Sequence, residues 1–297
     1  MKYVITGSLG HISKPLNEKL ISAGHKVSVI TSKETNRLAI EILGAKALVG
    51  SVEDVTFLKT AFAGADAVYT MVPPNFGATN WKEWIGSVGQ NYTAAIKENN
   101  IKYVVNLSSI GAHLPDGCGP VSGLHKVEES LNTLTDVNIK HLRPSYFITN
   151  LLANVGLAKN MNIIGANYGG VDFKMVLVDP TDIAEVAFEE LSSLNFTGHS
   201  VRYIASDERT TDDIAKILGE AIDKPLLPWI TFTDEESKGG MLQAGLPEEI
   251  ATNYTEMGVA LRSGKMQEDY LKNRPATLGK IKLENFAKTF AAVYRVN

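Results

Sequence analysis

Cysteine is nearly absent from this sequence, and the absences narrow what the chain can be. Its 297 residues include one cysteine, Cys118, which excludes an internal disulfide and any zinc-bound thiolate cluster. The histidines His11, His25, His113, His125, His141 and His199 show no metal-ligand spacing, so no structural metal is expected. No apolar run is long enough to span a bilayer. A formal net charge of -4 and the lack of a basic tract argue against a nucleic-acid surface, which needs concentrated Lys and Arg. The chain enters an apolar run at its second residue, leaving no room for a signal peptide. Neither internal repeats nor low-complexity tracts occur. These absences leave a cytoplasmic globular chain, long enough for one large α/β domain with an elaboration or for two modest domains. Cys118 lies in a glycine-rich loop with no activating base or cation beside it, and so reads as incidental and not as a reactive thiol.

Residues 2–6, Lys-Tyr-Val-Ile-Thr, form the short β-branched run that a buried parallel strand needs. Gly7-Ser8-Leu9-Gly10-His11-Ile12-Ser13 is a turn, and from Pro15 to Ala23 the spacing becomes helical. A diphosphate approaches the positive end of a helix only where no side chain intervenes, which Gly7 and Gly10 satisfy. Ser13 stands where the dinucleotide-binding fingerprint has a third, packing glycine; it is small enough to weaken that role without removing it.

Further runs follow with helical segments between them. Strands are expected at 26–31, 46–49, 67–72, 103–107 and 140–142, and a last one near 201–205. Helices are expected at 35–43, from 51 through 62, at 84–98 and from His125 onward, and beyond 210 at 235–244 and 247–263, with a short strand within 226–231. This alternation implies right-handed crossovers and a doubly wound parallel sheet of the Rossmann kind. Ligands of such sheets lie beyond the carboxyl ends of the strands. After the second strand, an acidic residue would hold a ribose and repel a 2'-phosphate; the chain instead has Ser32, Lys33 and, a turn later, Arg37. This favours NADP(H), with NAD(H) left open and Glu34 diluting the signal; alternatively the two cations only decorate a solvated helix start.

Several motifs then combine: residues 6–12 (Thr-Gly-Ser-Leu-Gly-His-Ile), Met71-Val72-Pro73-Pro74, Leu107-Ser108-Ser109, Lys126 with Glu129, and Leu142-Arg143-Pro144-x-x-Phe147-x-x-Asn150. Together with Val178-Asp179-Pro180-Thr181-Asp182, Thr210-Thr211-Asp212-Asp213 and Ala244-Gly245-Leu246-Pro247, this set resembles the NmrA-like family. These are atypical members of the extended short-chain dehydrogenase/reductase superfamily, among them NADPH-quinone oxidoreductases and triphenylmethane dye reductases. The resemblance implies that Gly7, Leu9, Gly10, His11 and Ile12 line the pyrophosphate turn and that Ser32, Lys33 and Arg37 hold the 2'-phosphate end. It also implies that Val72, Pro73 and Pro74 follow the cofactor, that Ser108 and Ser109 flank the nicotinamide, and that Pro144, Tyr146 and Phe147 cover it. Lys126 matches the lysine that bonds the nicotinamide ribose; its alternative is a surface cation.

The superfamily's proton-donating tyrosine lies four residues before that lysine, where this chain has Ser122. A serine hydroxyl is a far weaker acid than a phenol of pKa ~10, so ordinary ketone reduction is disfavoured. A quinone-like or dye-like aromatic acceptor remains, with Ser122 or solvent managing protons. Phe76, Tyr146, Phe147 and Met161 are expected to line the acceptor cleft, and Trp81 and Trp84 to serve packing. The dinucleotide-binding domain is expected to take residues 1–150 and about 178–208. A smaller mixed α/β substrate-side domain takes about 151–177 and 209–297. The alternative reading is an NAD(P)-binding redox sensor with little or no turnover that changes its contact with a protein partner; a homodimer is separately left open. A sugar-nucleotide epimerase is disfavoured, since that chemistry uses the tyrosine.

Overall fold

A computed structural model describes residues 1–170 and 173–296; residues 171 and 172, inside the segment expected in the smaller domain, and residue 297 lie outside it. Its strands are β1 (Lys2–Ile5), β2 (Lys26–Thr31), β3 (Lys46–Val49), β4 (Ala67–Thr70), β5 (Tyr103–Leu107), β6 (Asn138–Pro144), β7 (Tyr146–Phe147), β8 (Ile164–Ala166), β9 (Lys174–Val178), β10 (His199–Ile204), β11 (Asp207–Thr210) and β12 (Trp229–Thr231). The α-helices are α1 (Ser13–Ser22), α2 (Arg37–Ile42), α3 (Val55–Ala61), α4 (Trp81–Glu98), α5 (Pro120–Asn132), α6 (Val155–Asn160), α7 (Pro180–Ser193), α8 (Thr211–Ala221), α9 (Asp234–Gln243), α10 (Glu248–Arg262), α11 (Glu268–Lys272) and α12 (Leu283–Val296).

The strand period of two assigns each residue of β1 to a face. Tyr3 and Ile5 pack with Leu16 and Leu20 of α1 and Ile183 and Ala187 of α7. Val4 faces the other way, into a core holding Leu58, Tyr92, Ile96 and Val127 from α3, α4 and α5. The resulting sheet has seven strands in the order β10-β6-β5-β4-β1-β2-β3, all parallel. It is a doubly wound Rossmann sheet whose strand order reverses between β1 and β4, which opens a crevice at their carboxyl ends.

A third core gathers Leu151, Val155 and Ile164 with Ile214 and Leu218 of α8, Leu261 of α10 and Phe286 and Phe290 of α12. Two small sheets serve it: β11-β9-β7, with β9 antiparallel to β11, and the parallel pair β12-β8. Two helix starts differ from expectation, and both reshape the crevice. Helix α4 begins at Trp81, not Trp84, because Asn80 caps it by accepting the Glu83 amide at 3.2 Å. Helix α5 begins at Pro120, not His125: Gly119 turns the chain at φ +56° and proline, lacking an N–H, suits a first helical position.

Candidate functional site

The turn between β1 and α1 is built to admit a ligand backbone. Gly7 has φ +88°, and a Cβ there would stand 2.4 Å from Ser13 Oγ and 3.0 Å from Met71 Cγ. Ser13 supplies what the third glycine would: its buried hydroxyl donates to the Thr6 carbonyl at 2.9 Å, tying the start of α1 to the end of β1. No side chain caps α1, and no carboxylate lies in its first turn. Its opening amides and dipole therefore suit a diphosphate, which fits a dinucleotide. Gly10 and His11 are exposed and Leu9 is half-buried, while the Ile12 side chain turns into the core beneath the sheet.

Beside this cradle, Asn36 Nδ2 donates to Ser8 Oγ at 3.0 Å and to Thr31 Oγ1 at 3.2 Å. Ser32 and Lys33 are exposed at the end of β2. Arg37 is engaged elsewhere: its guanidinium pairs with Glu34, at 3.0 Å for Nη2, and approaches Glu41 at 3.9 Å. Of the two cations expected at the 2'-phosphate end, Lys33 is the one that does not share its charge with a carboxylate among the ion pairs of the described residues.

Met71 leads from the cradle into a cleft of about 310 Å³. The end of β4 contributes Val72, Pro73 and Pro74; the end of β5 gives Ser108, Ser109 and Ile110, and the segment after β6 gives Ser145, Tyr146 and Phe147. Trp81 and Ile85 enter from α4, and Val121 and Leu124 from α5. Tyr254, Met257 and Leu261 line it from one face of α10, with Met266 beyond. No carboxylate, imidazole, ammonium or guanidinium lines the cleft, and its ionisable groups are the phenols of Tyr146 and Tyr254. Its nearest charge is screened: Ser108 Oγ donates to buried Glu128, which Arg143 holds bidentately, Nε to Oε1 at 3.0 Å and Nη2 to Oε2 at 2.6 Å. Arg143 Nη1 also reaches Asp269 at 3.1 Å. Burial pushes the Tyr146 phenol up to about 12, against the smaller opposing pull of its hydrogen bond with Tyr168.

Several expected site residues lie elsewhere. Met161, 60% exposed at the end of α6, and Phe76, 48% exposed, are not among the lining residues, although Phe76 packs edge-on against Trp81. Pro144 is buried in β6 in register with Ile204, with its carbonyl accepting the Ile110 amide. Lys126 also stands outside the lining, its stem against Gly86 and its ammonium paired with Glu83. The early start of α5 buries Ser122, whose hydroxyl accepts the Cys118 amide at 3.2 Å. Cys118 is buried too, and that burial pushes its thiol up to about 11, away from thiolate chemistry. Trp81, expected to pack, is 4% exposed in the cleft wall, and its indole Nε1 has no partner among the described residues. Reading from sequence missed Tyr254, Met257 and Leu261. Their i, i+3, i+7 spacing on α10 was the available signal, but one apolar stripe does not say which core it faces. A second depression, of about 500 Å³, lies at the amino-terminal end of β1, β2 and β3, beside Lys2, Lys26 and Lys46, away from the carboxyl ends where such sheets bind ligands. Among the described residues no group of three His, Cys, Asp or Glu could hold a metal ion.

Residues 7–136 match the family model of NAD(P)H-binding domains. That stretch contains the Gly7 cradle, the Ser32–Lys33 loop and the parts of the cleft contributed by β4, β5, α4 and α5. No curated protein matches the chain by sequence. Among solved structures, the Escherichia coli NADPH-dependent quinone oxidoreductase complexed with NADPH aligns with TM-score 0.82 at 18% identity, over 97% of this chain and 99% of that one. The Citrobacter sp. triphenylmethane reductase complexed with NADP(H) aligns with TM-score 0.79 at 20% identity, over 98% and 100%. NmrA, a negative transcriptional regulator in complex with NADP, aligns with TM-score 0.76 at 12% identity, over 99% and 97%. At these identities the likeness shows a shared fold, a doubly wound Rossmann sheet with a carboxy-terminal elaboration.

Proposed function

We propose that the protein is an NADPH-dependent oxidoreductase that reduces a flat aromatic acceptor, of the quinone or dye kind, in the cleft beyond β4 and β5. The observation that carries this reading is the cleft itself. It adjoins the glycine cradle through Met71, and its walls are mostly aromatic, sulphur-bearing and aliphatic, with no carboxylate, imidazole, ammonium or guanidinium. Such walls favour a planar apolar ligand and exclude water from it. The reduced nicotinamide, when bound, supplies the hydride. Residues of the cradle hold the diphosphate, Lys33 with Ser32 favours a 2'-phosphate, and Ser108 and Ser109 border the place where the ring would lie. NADPH oxidation followed with a panel of naphthoquinones, benzoquinones and cationic dyes tests the reading. Turnover with at least one acceptor is expected, and clear NADPH binding without oxidation by any of them overturns it.

A second reading, a nucleotide sensor that changes its contact with a partner protein, is favoured by one observation. Ser122 and Lys126, at the superfamily's catalytic positions, are turned to Cys118 and Glu83 and not to the cleft. A complex recovered equally well with NADPH, NADP or neither would remove it.

A further inference from the structure

The hydroxyls of the cleft differ in what their protons do. Ser108 donates to Glu128, Ser109 to the Ile110 carbonyl at 2.9 Å, and Ser145 to the Ile204 carbonyl at 2.9 Å. Each is committed to the protein and has no proton to offer a ligand. Tyr146 is different. Its oxygen lies 3.0 Å from the hydroxyl of Tyr168, a side chain only 7% exposed and wedged against Phe173 and Trp229. Among the described residues the Tyr168 hydroxyl has no other partner, and a buried donor uses the acceptor it has. Tyr168 therefore donates to Tyr146, and the Tyr146 proton is left over for whatever occupies the cleft. Two more donors that have no partner among the described residues border the same space: the hydroxyl of Tyr254, packed edge-on to Trp81 at 5.4 Å, and the indole N–H of Trp81.

We infer that Tyr146, positioned by Tyr168, is the acid of this cleft, delivering to an acceptor oxygen the proton that Ser122 is too buried to give. This rests on the reductase reading and extends it to acceptors whose reduction places charge on oxygen. In the step, the acceptor carbonyl gains hydride from the reduced nicotinamide and its π pair moves to oxygen. The O–H bond of Tyr146 breaks as its proton joins that oxygen, giving the neutral hydroxyl product. The phenolate left on Tyr146 keeps the Tyr168 hydrogen bond and takes a proton back from water. At neutral pH the group starts in the donating form, because burial holds its phenol protonated. The missing superfamily tyrosine is thus replaced from another element of the cleft, β7 in place of α5.

The test has a binding arm that needs no turnover. 4-Nitrophenolate, a planar ring bearing an anionic oxygen, is titrated by its visible absorbance into the protein without cofactor, against nitrobenzene as the same ring without that oxygen. Tyr146→Phe should weaken nitrophenolate by about tenfold or more, the worth of a hydrogen bond to a charged group, and Tyr168→Phe by less. Nitrobenzene should bind both variants and the unaltered protein alike, which shows that the cleft is intact. In the kinetic arm, Tyr146→Phe should lower kcat for a quinone by about a hundredfold with KM little changed. Equal nitrophenolate binding by Tyr146→Phe and the unaltered protein, or none by the latter, overturns the inference. A protein that reduces no acceptor but shows the nitrophenolate difference overturns the reductase reading and leaves Tyr146 as the donor of a binding cleft.

Discussion

At the scale of single residues, Gly7 and the Glu128–Arg143 pair carry the sharpest consequences. Gly7→Ala must place a methyl group against Ser13 and Met71 at a φ of +88°. A left-handed conformation together with an overlap costs about 1–3 kcal/mol. The expected result is a lower urea midpoint and NADPH affinity at least about tenfold weaker by fluorescence titration, because the methyl group and the ligand compete for one space. Glu128→Gln removes the whole charge of the carboxylate that holds buried Arg143, leaving it Asp269 alone, and should cost about 3–5 kcal/mol, whereas Glu128→Leu with Arg143→Met removes both charges and should cost less than either single change. Additivity in that cycle, measured by denaturant melts, would show that the pair does not act as a unit. Lys33→Ala should weaken NADPH by about tenfold and leave NADH within about twofold, since Arg37 is already held by Glu34. Equal losses for both nucleotides would place the 2'-phosphate elsewhere.

At the scale of elements, a polar ladder crosses the sheet. Thr70 of β4 donates to Asn106 of β5 at 2.9 Å, Asn106 Nδ2 meets His141 Nδ1 of β6 at 3.1 Å, and His141 Nε2 meets Asn132 of α5 at 3.0 Å. The amide of Asn106 needs an unprotonated Nδ1 to accept its hydrogen, so the ladder requires a neutral imidazole. Burial, the largest cause, holds the His141 pKa down to about 4, against the ordinary 6.5. The unfolded chain therefore takes a proton below about 6.5 that the folded chain refuses until about 4, so stability is full above 6.5 and falls as the pH drops through that window. Between pH 7 and pH 5 the loss is about 2 kcal/mol, and urea melts of His141→Gln should lack that part of the pH dependence. An unchanged slope would mean that another group titrates there.

The elements also show how much was legible in the sequence. The strands β1, β2, β3 and β5, with β4 as its core, could be read because a buried parallel strand is a short β-branched run closed by Gly, Ser or Pro, and Gly7, Gly10 and the cleft edge Val72 to Pro74 follow from it. The starts of α4 and α5 were not read: Asn80 as a cap and Gly119-Pro120 as a turn look like ordinary loop residues until their hydrogen bonds are formed. That error hid the orientations of Ser122 and Trp81. β7, β8, β9 and β11 are too short or too long-range in pairing to declare themselves, and with them went the meeting of Tyr146 with Tyr168, 22 residues apart.

At the scale of the whole molecule, α10 closes a cleft whose floor belongs to the main sheet. Asp182 at the start of α7 binds the segment before α12, accepting the amides of Lys280 at 3.1 Å and Ile281 at 3.0 Å and the hydroxyl of Ser206 at 2.6 Å. Asp182→Ala leaves the buried Ser206 hydroxyl and the partly buried amides of Lys280 and Ile281 without their acceptor, about 1–3 kcal/mol, and should open residues 279–282 to proteolysis before the sheet unfolds. Cleavage first in α1–β2 would contradict that order.

The central claim is that the start of α1 grips a dinucleotide diphosphate and the adjoining loop prefers the 2'-phosphorylated form. Calorimetric titration of the protein with NADPH and, separately, NADH measures it most directly. The account predicts saturable one-to-one binding of NADPH, tighter than that of NADH. Heat from neither nucleotide would contradict it.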